Sequence, residues 1–110
     1  MGHIKEYEKD GYKICEREYV IEADGEHELV DTHVRSISVT HPTNGVRVLQ
    51  TRMNNSCYES GIGVGTSYFM NGHETLHAIG EKERTVEELI REVNEFPSWF
   101  NELLEKGRQE

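Results

Sequence analysis

The sequence predicts an α+β fold, an antiparallel sheet of about six strands followed by two short C-terminal helices. Two observations carry this. Up to about residue 80 the apolar residues follow the two-residue period of strands, broken by turn pairs such as Asn44-Gly45 and Asn71-Gly72. From Thr85 onward the period becomes that of a helix. A chain of 110 residues suits one domain, with the sheet over about 11–80 and the helices over about 85–106.

Each element has its own reason. Tyr12 to Ile21 places Cys15, Tyr19 and Ile21 on one parity and Tyr12, Ile14 and Val20 on the other, which predicts a strand that is bulged or covered on both faces. Asp24-Gly25 then turns the chain. Val34 to Thr40 alternates cleanly, with Arg35, Ile37 and Val39 opposite Ser36, Ser38 and Thr40. His41-Pro42-Thr43-Asn44-Gly45 stops that strand, and Val46 to Met53 returns as its hairpin partner. Asn54 to Ser67 contains Gly61, Gly63 and Gly65 at alternate positions and reads as either a connection or a glycine-bent strand.

Thr85-Val86-Glu87-Glu88 fits a capping box. Val86, Leu89, Ile90, Val93 and Phe96 continue as one apolar stripe. Pro97 is expected to end that helix, Ser98 to cap a second carrying Trp99, Phe100, Leu103 and Leu104, and Gly107 to close it.

Charge narrows the function. The formal net charge is −9, of which residues 1–31 hold −6 and residues 81–110 hold −4, leaving 32–80 at +1 with Arg35, Arg47 and Arg52. No basic stripe is present to displace counterions, so nucleic-acid binding is disfavoured. Apolar residues make up 35%, too few for a thick core, and self-association as a homo-oligomer is expected. Cys15 and Cys57 form no C-x-x-C pair, and no apolar run approaches a membrane span or signal segment; a cytoplasmic protein with no membrane partner is expected.

His73-Glu74-Thr75-Leu76-His77 completes an H-E-x-x-H pattern, and the string to Glu83 resembles the metzincin motif with Glu83 in place of the third histidine. On a helix, His73, His77 and Glu83 would hold Zn²⁺ while Glu74 served as base. Asn71-Gly72 directly before the motif predicts instead a hairpin, in which the two histidines share one face of a strand about 13 Å apart. No metal or other cofactor is then expected, and no nucleophile-base-orienter set stands out elsewhere.

The neutral-to-basic middle carries Arg47, Arg52, Tyr58, Tyr68, Phe69 and Asn71 among small residues. Arginines fork onto a diphosphate, aromatic faces stack on a base, and Asn reads a base edge or ribose hydroxyl. These six are the expected ligand-binding residues of a non-enzymatic protein that takes a small nucleotide-type ligand.

In its acidity, small size and order of elements, six strands and then two short helices, the chain resembles the phage anti-Thoeris sponge proteins. The resemblance implies a homo-oligomer that sequesters a cyclic ADP-ribose type signal without cleaving it, in the cytoplasm of a bacterial host, as an antagonist of immune signalling. It rests on architecture, and no binding residue is carried over by identity. An alternative from the acidic ends is an inhibitor of a basic host protein, DNA-mimic or anti-CRISPR-like; a third is the zinc peptidase.

Overall fold

A computed structural model of the chain describes residues 2–23, 25, 31–54, 62–80 and 82–109. They form one six-stranded antiparallel sheet in the order β1-β2-β3-β4-β5-β6, with β1 His3–Lys9, β2 Tyr12–Ile21, β3 Thr32–Thr40, β4 Val46–Asn54, β5 Ile62–Met70 and β6 His73–Ile79. One helix follows, α1 Val86–Gln109. Every strand pairs with its neighbour in sequence, so each connection is local.

The turns explain the order. Asp10 and Gly11 have φ of 53° and 87°, and Asn71 and Gly72 have 52° and 85°. Left-handed backbone at both central positions is the two-residue turn whose twist matches a β-hairpin. The sheet therefore begins earlier than residue 11, because Asp10-Gly11 folds back a strand that the sequence reading misses. In the β3–β4 connection, His41 Nδ1 accepts from the amides of Thr43 (3.0 Å) and Asn44 (2.9 Å), and Asn44 Oδ1 accepts from Val46 N at 2.9 Å. Gly45 has φ 77°, and a Cβ there would collide with the Asn71 side chain. The expected Asp24-Gly25 turn involves Asp24, which lies outside the described residues. β2 pairs in unbroken register on both sides, so its mixed parity reflects no bulge.

Ile14, Val39, Val48 and Tyr68 stand opposite one another across four strands and form the centre of the core. Leu89, Val93 and Phe96 cover them from α1, each fully buried, and the Phe96 ring stacks on Tyr68 with centroids 4.8 Å apart. The predicted capping box is present: Glu88 N donates to Thr85 Oγ1 (3.2 Å), and Thr85 N donates to Glu88 Oε1 (3.1 Å). That amide holds the Glu88 carboxyl below its ordinary pKa.

The two expected helices are one. Pro97 lies inside α1, where it has no N–H to offer the carbonyl of Val93 four residues back. Asn44 Nδ2 donates to that carbonyl at 2.9 Å, replacing the missing bond from the β3–β4 turn. Asn44→Ala is therefore expected to destabilise the protein by roughly 1–3 kcal/mol, the usual cost of orphaning a half-buried polar group. A lowered urea midpoint at constant slope would show it. Pro97→Ala, which restores an N–H, should reduce that cost.

A buried polar network ties the segment before α1 to the sheet. Arg84 N donates to Gln50 Oε1 (2.7 Å) and Gln50 Nε2 donates to Arg84 O (3.1 Å). The Arg84 guanidinium reaches Glu92 Oε1 at 2.8 Å, the Tyr68 hydroxyl at 3.2 Å and Thr66 Oγ1. Tyr68 donates to Glu92 Oε1 at 2.6 Å. Burial, with the Glu92 carboxylate second, pushes the Tyr68 phenol up to about 12. Among the described residues no helix is long and apolar enough to cross a membrane.

Candidate functional site

α1 covers one face of the sheet, and among the described residues no element lies over the opposite face, although Thr32 and Val34 at one end of it are buried. Strand alternation and register decide its contents. Lys13, Cys15, Arg17 and Tyr19 of β2 stand beside Thr40, Ser38, Ser36 and Val34 of β3. These in turn stand beside Arg47, Leu49, Thr51 and Met53 of β4. A concavity of about 720 Å³ lies over this region, with Lys13, Arg17 and Arg47 around a floor that includes Ser36 and Ser38. Tyr19 and the β1 carboxylates Glu6 and Glu8 complete its rim.

The floor is low because β3 lines it with Ser36, Ser38 and Thr40, small hydroxyl side chains between longer neighbours. Lys13 and Arg47 flank Thr40 from the two adjacent strands, about 10 Å apart at the backbone, and Arg17 sits four residues along β2 from Lys13, about 13 Å away. Long side chains at those spacings can converge on one small anion or spread along an extended one. None of the three cations is ion-paired with a carboxylate of the described residues. The Arg47 guanidinium lies over the Phe69 ring, 4.2 Å from its centroid, which holds it in place.

The six expected ligand residues are not gathered into one place. Arg47 and Phe69 face each other across β4 and β5 on the open side. Tyr68 is 4% exposed within the core, its hydroxyl engaged by Glu92 and Arg84. Arg52 lies on the helix side opposite Arg35, with Nε 3.3 Å from Glu83 Oε2. Asn71 occupies the β5–β6 turn, its amide donating to Gly45 O at 2.8 Å. Tyr58 lies outside the described residues. Lys13, Arg17, Tyr19, Ser36 and Ser38 are the groove residues that sequence reasoning misses, although their strand alternation is the signal that marks them.

The H-E-x-x-H segment is β6, a strand, as Asn71-Gly72 predicts. Its geometry nevertheless differs from the regular strand expected. The register shifts by one residue near Tyr68/Phe69: Met70 faces His73 and Phe69 faces Glu74, but Tyr68 faces Leu76. Thr75 is the extra residue, and its Oγ1 donates to Tyr68 O at 3.1 Å. This bulge reverses the alternation, so His73 lies on the helix side beside Met70 while His77 lies on the open side beside Ser67. Two histidines on opposite faces of a sheet cannot ligate one ion, and Glu83 is paired with Arg52.

The bulge brings Ser67, Glu74 and His77 together instead. Ser67 Oγ lies 2.9 Å and Glu74 Oε1 3.5 Å from His77 Nδ1, and the ring passes over Gly65. Both partners compete for the same ring nitrogen. A general base needs its orienting acid and its nucleophile on different nitrogens, so this cluster has no relay.

No protein-family model matches the chain, and neither any curated protein nor any solved structure matches it.

Proposed function

We propose that the chain is a non-enzymatic binding protein that takes a small nucleotide-type ligand on the open face of its sheet and acts by sequestering it. The observation that supports this reading is the groove, in which Lys13, Arg17 and Arg47 stand around a hydroxyl floor within a chain of net charge −9. Arginine and lysine take the phosphates, while Ser36 and Ser38 exchange hydrogen bonds with ribose hydroxyls. Glu8, directly across from Lys13, and Glu6 repel phosphate and favour a hydroxyl or amino group at the β1 side, which turns the phosphates toward Arg17 and Arg47. A signal of the cyclic ADP-ribose type has both ends, and it is the ligand class that the sponge resemblance implies.

Calorimetry with ADP-ribose, its cyclic isomers and inorganic pyrophosphate tests the reading. Arg17→Ala and Arg47→Ala are each expected to weaken binding about tenfold or more, as for a lost charged hydrogen bond. Arg52→Ala, on the other face, should leave affinity unchanged. Absence of heat with every ligand, or equal affinity in the groove variants, would overturn the proposal.

A further inference from the structure

The apolar stripe of α1 is longer than the sheet that covers it. Leu89, Val93 and Phe96 are fully buried, Phe100 is half-buried, and every residue from 101 to 107 is exposed. The stripe continues in line nonetheless. Leu103 is 52% exposed, Leu104 is 44% exposed and Trp99 is 38% exposed. Residues 101–107 continue a helix that is nucleated on the sheet but gain little burial there themselves. An in-line exposed apolar patch of this kind marks a surface that a partner can cover.

From these features we infer that the free end of α1 pairs antiparallel with the same segment of a second copy of the chain. The sequence is self-complementary in that arrangement. With a twofold axis between Asn101 and Glu102, Trp99 lies level with the partner's Leu104 and Phe100 with the partner's Leu103, closing a four-residue apolar seam from each side. Charge points the same way. Lys106 and Glu95 flank the stripe on the same side as Trp99, and antiparallel helices bring like flanks together. Lys106 then falls between the partner's Glu95 and the partner's Trp99, within reach of the carboxylate. A parallel pair would set this flank against the partner's opposite flank, which keeps Lys106 away from the partner's Glu95. A second copy thus supplies both the apolar cover and the opposite charge, on a surface remote from the open face of the sheet and independent of what that face binds.

The seam is small, so the dimer is weak, with dissociation in the micromolar range. Sedimentation equilibrium on the full chain over that range should show a reversible monomer–dimer equilibrium. Leu103→Glu, at an exposed position that leaves the fold intact by circular dichroism, should weaken dimerisation at least a hundredfold. Lys106→Glu and Glu95→Lys, separately, should each weaken it roughly tenfold by opposing like charges at two symmetry-related points. Mixing the two charge variants should restore dimerisation, because the heterodimer has opposite charges at both points. A monomer at all concentrations, a dimer indifferent to Leu103→Glu, or a mixture no tighter than its components would overturn the inference.

Discussion

Phe96→Ala is expected to destabilise the fold by about 3–5 kcal/mol, the usual loss for truncating a fully buried aromatic residue. Phe96 is where three packing relations meet. Its ring stacks on Tyr68 at 4.8 Å and on Phe100 at 5.7 Å and takes the edge of Trp99 at 6.4 Å, and it is wholly excluded from solvent. Alanine would leave a cavity between helix and sheet beside Leu89, Val93 and Tyr68, which are themselves buried. Domains of this size have total stabilities of about 5–15 kcal/mol, so the variant would spend a measurable fraction of its time unfolded. Urea denaturation followed by tryptophan fluorescence reads the effect, Trp99 being the only tryptophan. A loss below about 1 kcal/mol would mean that α1 is not seated on the sheet through this residue.

Arg84→Met is expected to cost a similar amount, about 3–5 kcal/mol, for a different reason. The guanidinium faces the buried Glu92 carboxylate at 2.8 Å and the Tyr68 hydroxyl at 3.2 Å, and its removal takes the counter-charge from a carboxylate only 7% exposed. Replacing both partners by apolar groups, Arg84→Met with Glu92→Met, should recover much of that loss, because the penalty comes from a buried carboxylate that has lost the guanidinium and not from the pair as such. The same network has a signature at high pH. The folded Tyr68 phenol titrates at about 12, above the unfolded value near 10, so its contribution is intact below pH 10 and is lost as pH rises from there toward 12. Comparing urea midpoints at about pH 9 and 11, wild type should lose more stability than Tyr68→Phe.

Much of the fold was legible because two hairpins announce themselves locally. Asn71-Gly72 outweighs the H-E-x-x-H pattern, and Asn44-Gly45 marks the β3–β4 reversal, each through a left-handed backbone requirement that few residues meet. Asp10-Gly11 carries the same information for β1, but Ile4 is 65% exposed and the strand shows little apolar alternation to go with the turn. Pro97 misled for a reason no local rule contains: the carbonyl it deprives is satisfied by Asn44, distant in sequence. The bulge at Thr75 is likewise silent in the residues HETLHAI, since it is set by pairing with β5.

The site was less legible than the fold. Alternation gives each strand two faces, but which faces coincide depends on register across three strands. Tyr68 and Phe69, adjacent in one strand, fall on opposite sides of the sheet, as do Arg47 and Arg52. Residue chemistry collected them into one group; the pleat separates them and gathers Lys13, Arg17 and Arg47 instead.

The extra residue in β6 has another effect. An open meander ends in two strands whose outward amides and carbonyls could recruit a foreign strand and extend the sheet without limit. At one boundary Lys5, Glu6, Glu8 and Lys9 of β1 present both signs of charge to any approaching chain. At the other, Thr75 interrupts the regular spacing of β6, so a straight partner cannot match its hydrogen-bonding groups along the whole length. The irregularity that parts His73 from His77 therefore also guards this border against aggregation. Straightening it by deleting Thr75 would trade a misaligned pair of imidazoles for a sticky edge.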